Sequence, residues 1–148
     1  MNILILSKKR ASEFGWDQPW ACISISTPGN SHPIINKVNL VDLLMLKFRD
    51  MELDHPGLPP NEVFNNGHAI QILDFVESVA DQIDVLMVHC EAGMSRSPAV
   101  GAAIAKLRWD NDQIFFDRYT PNMRVYRHLM NVGMERKQKQ DEVHDADI

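Results

Sequence analysis

Apolar residues fall in four short runs along the chain, and helical spacing fills much of the space between them. Asn2-Ile3-Leu4-Ile5-Leu6 predicts a first strand. Lys8 to Pro19 is polar and mixed and predicts a loop. Ala21-Cys22-Ile23-Ser24-Ile25-Ser26 alternates with a period of two, as a strand does, and Thr27-Pro28-Gly29-Asn30 breaks it. Leu43 to Phe48 and Val85 to His89 give the third and fourth strands. Between them Ala69, Ile72, Leu73, Val76, Val79 and Ala80 recur at helical spacing, with Asn65 and Asn66 placed to cap the helix. The small-residue segment Pro98 to Leu107 predicts another helix, and Asn111 to Tyr119 a short one. Thr120-Pro121-Asn122 is a turn that can cap a helix from Met123 to about Lys137. The polar stretch from Gln138 to Ile148 is expected to fray.

Strands separated by helices imply an α/β architecture: a mostly parallel central sheet of four to five strands flanked by helices. Such sheets bind ligands at the carboxyl ends of their strands. The chain has 148 residues, the size of one core, so residues 1–137 are expected to form a single domain and 138–148 a polar tail. Net charge is −5, which gives no support to a nucleic-acid or anionic-membrane role. No apolar stretch approaches the roughly 20 residues of a membrane span. Met1 to Leu6 is too short for a secretory signal, and its positive charges come after the apolar run.

The chemistry concentrates in Val85-Leu86-Met87-Val88-His89-Cys90-Glu91-Ala92-Gly93-Met94-Ser95-Arg96-Ser97. A buried strand ends in a cysteine, and a glycine-containing loop leads to an arginine at the start of a helix. Backbone N–H groups of such a loop, Glu91 to Arg96, form a cradle for a phosphate-sized dianion, strengthened by the helix N-terminus. The same field favours a thiolate at Cys90, the form in which sulfur is nucleophilic. Arg96 offers a planar fork for two oxygens of a tetrahedral phosphate. Gly93 lets the backbone approach the anion or take positive φ. Ser97 can donate a hydrogen bond to the Cys90 sulfur, both as nucleophile and as leaving group.

His89-Cys90-Glu91-Ala92-Gly93-Met94-Ser95-Arg96-Ser97 resembles the signature loop of the cysteine-dependent protein tyrosine phosphatases. The Ser-Arg-Ser ending looks most like the compact dual-specificity branch and its small bacterial and phage relatives. The resemblance implies a phosphatase-like fold and a two-step reaction that uses no metal and no cofactor. In it Cys90 attacks phosphorus, Arg96 holds the phosphoryl oxygens, and a cysteinyl-phosphate forms and is hydrolysed. It implies that His89 bonds backbone and shapes the loop rather than acting as a base. It also implies that inorganic phosphate or sulfate would occupy the loop, and that an aspartic acid just after an upstream strand protonates the leaving oxygen. Two aspartates meet that description. Asp50 ends the run Leu43-Leu44-Met45-Leu46-Lys47-Phe48-Arg49-Asp50, and its strand-end Phe-x-Asp arrangement is the preferred match. Asp54, in Leu53-Asp54-His55-Pro56, is the alternative, its Asp-His-Pro triplet resembling another branch. Both lie in a Pro- and Gly-rich loop of the kind that carries function.

The expected substrate is a phosphorylated protein or aryl phosphate. Glu91 adds negative charge near the mouth and Met94 adds none, which disfavours polyanions and favours phosphotyrosine. Phosphoserine and phosphothreonine depend on pocket depth. A catalytically impaired phosphatase-fold module that binds phosphoproteins is the alternative, although no catalytic residue type is missing. A different thiol enzyme, an arsenate reductase or sulfurtransferase, would also want an anion loop, and arsenate reduction would want a resolving cysteine. The chain has two cysteines, and Cys22 lies in an apolar run, as a core thiol does. The need for a reduced Cys90 points to the cytoplasm. The other histidines, His32, His55, His68, His128 and His144, show no metal-ligand spacing, although His55 could line the pocket. Trp16 and Trp20 are expected in the core, with a border of the substrate entrance as the second possibility.

Overall fold

The computed structural model describes residues 1–146. A four-stranded sheet forms its centre: β1 (Asn2–Ser7), β2 (Trp20–Ser26), β3 (Leu40–Lys47) and β4 (Val85–Cys90). The spatial order is β1-β4-β2-β3 and every neighbouring pair is parallel. The register pairs Ser7 with Cys90 and Ser24 with His89, so the carboxyl ends of the strands converge on the cysteine.

The two faces of this sheet are covered unequally. On one side lie α2 (Asn66–Val79), α3 (Arg96–Trp109), α4 (Gln113–Arg118) and α5 (Met123–Ala146). Leu86, Val88 and Cys90 of β4 point into that larger core, together with Ile23 and Ile25 of β2. Val85 and Met87, with Trp20 and Cys22, point to the other face, into a smaller core with Ala11. Ala11 belongs to α1 (Lys8–Glu13). Helix α3 is buried without a break from Arg96 to Ala105. Its glycine and alanines let it lie close to both the sheet and α5.

Two local predictions need correction. Lys8–Glu13 is helical rather than part of a loop, because the Ser7 side chain accepts from the Arg10 N–H and caps a single short turn of buried surface. So short a helix leaves no periodicity to find. Strand β2 alternates in sequence, yet all of it is buried, with Ser24 and Ser26 at 0 % and 1 % exposure. The two serines are polar because they carry hydrogen bonds, to His89, Ser31 O and Glu91. Helix α5 runs past Lys137 to Ala146, with Glu135–Lys139 and Gln138–Glu142 contacts along it. No Gly or Pro interrupts the stretch 138–146, so nothing local stops the helix. Asp147 and Ile148 of the expected tail lie outside the described residues. No described helix is long and apolar enough to cross a membrane.

Candidate active site

The loop from Glu91 to Ser95 joins the end of β4 to the start of α3 as a run of bends. Its carbonyls are used outward. Glu91 O accepts from Lys8 N at 3.1 Å, Met94 O from Thr120 N at 3.0 Å, and Ser95 O from Asn122 N at 2.9 Å. None of the amides of Ala92 to Ser95 donates to a backbone carbonyl. That is the arrangement of an anion-binding nest. Gly93 makes it possible on two counts: its φ is +71°, and a Cβ there would stand 2.8 Å from backbone atoms of Leu6 and Ser7. Any other residue would both strain the loop and push it off the end of β1.

Cys90 lies at the floor, 2 % exposed, with Sγ 3.1 Å from Ser97 Oγ. Arg96 is also buried, and its Nη1 donates to Thr27 Oγ1 at 3.0 Å and to Phe48 O at 2.8 Å. Those two bonds, from the ends of β2 and β3, fix the guanidinium plane from one edge.

The structure separates the two aspartates. Asp50 Oδ1 accepts from Ser95 Oγ at 2.8 Å and from Asn122 Nδ2 at 2.8 Å, so its carboxylate is tied to the thiol-bearing loop. Asp54 is exposed and paired with Arg124 Nη1 at 2.6 Å. The segment carrying both is anchored twice more, by Asn122 Nδ2 to Met51 O at 3.3 Å and by Met123 N to Glu52 Oε1 at 3.1 Å. His55 is exposed in the same segment.

Glu91 does not stand at the mouth as a free charge. Its Oε1 accepts from Thr27 N, Asn30 Nδ2 and Ser26 Oγ, at 3.3, 3.3 and 3.4 Å. Burial would push this carboxyl up, but the Asn30 and Thr27 bonds and the nearby Lys8 and Arg96 outweigh it and hold the group below its ordinary value. Glu91 therefore braces the β2–β3 connection against the loop. The backbone role expected for it in the cradle is independent of that side chain. Met94, three residues on, is half exposed.

His89 is fully buried on the α1 face of the sheet. Its Nδ1 lies 3.2 Å from Cys90 O and its Nε2 2.5 Å from Ser24 Oγ. Burial holds its imidazole below the ordinary value.

Cys22 sits on the sheet face opposite to Cys90, near Met87 Sδ at 3.9 Å, and both thiols are free. Burial pushes the Cys22 thiol up to about 12. Cys22 and Cys90 thus face opposite sides of the sheet and are not placed to pair with each other. Trp20 and Trp16 lie at the amino ends of the strands, away from the loop. Trp20 Nε1 donates to Val38 O, and the partly exposed Trp16 donates to Asp84, the residue before β4. Among the described residues, no group of three His, Cys, Asp or Glu side chains is disposed to hold a metal.

Residues the sequence reading passed over complete the site: Ser24, Thr27, His32 and Asn122. Asn122 is fully buried and does three things: its Oδ1 caps α5 through Val125 N, its Nδ2 holds Asp50, and its N–H holds the loop. The Thr-Pro-Asn turn showed the cap but not the other two bonds, which depend on the loops it meets.

No family model matches the chain, and no curated protein is similar to it in sequence. Solved structures are similar in fold. PTPMT1 in complex with PI(5)P matches with a TM-score of 0.60 at 14 % identity, over 94 % of this chain and 94 % of that one. Human DUSP28 matches with a TM-score of 0.57 at 15 % identity, over 93 % and 94 %. A human tyrosine phosphatase-like serine/threonine/tyrosine-interacting protein matches at 0.55 and 16 %, over 85 % and 78 %. At these identities the likeness is one of fold: the chain has the architecture of the protein tyrosine phosphatases.

Proposed function

We propose that this chain is a phosphoric monoester hydrolase that cleaves phosphotyrosine and related aryl phosphates through a cysteinyl-phosphate. The observation that carries the reading is the Cys90–Ser97 contact of 3.1 Å at the floor of a loop whose amides are unspent. In the first step the Cys90 thiolate attacks phosphorus in line with the ester oxygen. The S–P bond forms as the P–O bond breaks, and Arg96 with the loop amides takes up charge on the three equatorial oxygens. The leaving phenol oxygen receives a proton from Asp50. Because Oδ1 already accepts from Ser95 and Asn122, that proton belongs on Oδ2. In the second step Asp50 takes a proton from water, water attacks phosphorus, and the S–P bond breaks with Ser97 donating to the departing sulfur.

Asp50 is preferred to Asp54 because it is tied to the loop and Asp54 is tied to Arg124. The side chain of Glu91 is a brace that keeps its negative charge beside the loop, which continues to disfavour polyanionic substrates. Half-exposed Met94 supports an aromatic leaving group. A module that binds phosphoproteins without turning them over is the second reading. The presence of nucleophile, clamp and acid in contact with one loop favours turnover.

The test is hydrolysis of p-nitrophenyl phosphate, phenyl phosphate, phosphotyrosine and phosphoserine, in chelator, with and without reductant. Wild type should turn over the aryl esters, and Cys90→Ser should lose on the order of a thousandfold or more. Asp50→Asn should depress kcat far more on phenyl phosphate than on p-nitrophenyl phosphate, since the more basic phenolate needs the proton. Asp54→Asn should cause a mild loss that ignores the leaving group. The reverse pattern moves the acid to Asp54. Turnover by Cys90→Ser within tenfold of wild type excludes the thiolate mechanism, and binding of phosphotyrosine without turnover selects the second reading.

A further inference from the structure

A chain of three side-chain contacts runs from the nucleophile's own carbonyl to the surface. His89 Nδ1 lies 3.2 Å from Cys90 O, His89 Nε2 lies 2.5 Å from Ser24 Oγ, and Ser24 Oγ lies 2.9 Å from His32 Nδ1. His89 and Ser24 are fully buried, while His32, in the segment after β2, is half-buried. The carbonyl at the inner end fixes the direction of every proton. A carbonyl only accepts, so His89 Nδ1 carries the hydrogen. Burial keeps His89 neutral, which leaves Nε2 as an acceptor. Ser24 must then donate to His89 Nε2, and its oxygen is left to accept from His32 Nδ1–H. One tautomer of each histidine satisfies the whole chain.

We propose that Ser24 and His32 are positioning residues for the thiol loop, holding His89 in the tautomer and orientation that grip the Cys90 carbonyl; the kinetic part of this proposal rests on the phosphatase reading above. Without the outer donors His89 can turn over to its other tautomer, in which Nδ1 bears a lone pair facing the Cys90 carbonyl. That repulsion would loosen the peptide that sets the direction of the Cys90 side chain. A buried imidazole with one undefined bond is costly, and a defined chain removes the ambiguity. The charged groups facing the outer end are Lys47 at the end of β3, Lys8 at the start of α1 and Glu91 of the loop, with His89 behind Ser24. Burial, then Lys47 and Lys8, disfavour a charge on His32, and Glu91 opposes them. The outer donor is thus a neutral imidazole, which donates from Nδ1 just as the chain requires.

The test is imidazole nitrogen NMR of the full chain at neutral pH, with steady-state kinetics on phenyl phosphate. Wild type should show His89 as the pure Nδ1–H tautomer. Ser24→Ala and His32→Ala should each shift it to a mixture and lower kcat about fivefold with KM within about twofold, the size expected for one lost hydrogen bond. His32→Asn presents an amide donor close to the place of Nδ1 and should restore both the tautomer and kcat. A merely structural role would lower the melting temperature without moving the His89 tautomer. An unchanged tautomer in both alanine variants overturns the proposal. A shifted tautomer with unchanged kcat also overturns it, since the chain would then position nothing. If wild type fails to hydrolyse aryl phosphates, the phosphatase reading falls, and the tautomer measurement still decides the proton chain.

Discussion

Cys22 and Cys90 stand on neighbouring parallel strands and both are buried, yet they occupy opposite regions of the molecule. Cys22 is in the middle of β2, on the thin α1 face, among Trp20, Val85 and Met87. Burial there pushes its thiol up to about 12 and leaves it inert. Cys90 is the last residue of β4, on the thick face, where the strand gives way to a loop of unspent amides and to the first turn of α3. Its sulfur meets a hydroxyl rather than a thioether. Equal burial thus places two thiols in two different settings. What separates them is position along the strand: only the residue at the carboxyl end has backbone donors in front of it.

Alkylation should break or bear out that contrast most sharply. Iodoacetate should label Cys90 alone in the folded protein, with complete loss of aryl phosphatase activity, and inorganic phosphate should protect it. Cys22 should react only on unfolding, and Cys22→Ala should leave the labelling and the activity as they are. Mass spectrometry showing Cys22 labelled at a similar rate would mean that the two environments do not differ as described.

A smaller but still large loss is expected from Arg96→Lys, on the order of a hundredfold in kcat/KM. Lysine keeps the charge but cannot hold Thr27 and Phe48 O with one nitrogen while presenting a planar edge to phosphate. Retention of wild-type kcat/KM would show that charge at the Cys90 end of the sheet is enough and that the fixed plane adds nothing.

The contrast between burial alone and burial with partners extends to the imidazoles, with the smallest expected effect. His68 is buried at the start of α2, where Asn65 Oδ1 accepts from the Gly67 and His68 amides and His68 Nδ1 accepts from Asn65 N at 3.1 Å. Burial, reinforced by His128 and opposed by a backbone bond at Asn61, holds His68 below its ordinary 6.5. The unfolded chain therefore takes up the proton first on acidification. The stability His68 contributes is complete above about pH 6.5 and is lost as pH falls toward the lowered folded value. Protonation would also remove the acceptor that closes the capping box. Glutamine at this position keeps an acceptor and does not titrate. Melting temperature followed from about pH 7.5 to 5 should fall less steeply in His68→Gln than in wild type; parallel slopes would assign the acid sensitivity elsewhere.

Much of this was legible in the chain before any fold was known, and the illegible part has a common cause. The four strands, the helix behind Asn65 and the residues of the loop from His89 to Ser97 announce themselves through local pattern: apolar runs, caps and fixed spacing. The strand-end place of Asp50 favours it over Asp54, but both sit in the same loop, and their different contacts with Ser95 and Arg124 could not be read from the chain. The alternation of Ser24 and Ser26 marks a strand but carries no information about what covers it. Asn122 could be seen as a cap, since capping is a three-residue affair, but not as a latch on a carboxylate far away in the chain. The side-chain partners of Glu91 were out of reach for the same reason, coming from the end of β2 and the turn after it.

That latch has a consequence for how the protein comes into being. The contact from Asn122 to Asp50 spans 72 positions, that from Arg96 to Thr27 spans 69, and that from Ser95 to Asp50 spans 45. With an all-parallel sheet whose last strand inserts between the first two, almost every bond that finishes the site waits on distant segments meeting. Such non-local closure is slow. During synthesis Cys90 leaves the ribosome before Asn122 does, and until Asn122 arrives Asp50 lacks one of its two donors and the loop lacks its outer tether. The growing chain thus holds Cys90 in an unfinished setting until the segment carrying Asn122 has docked.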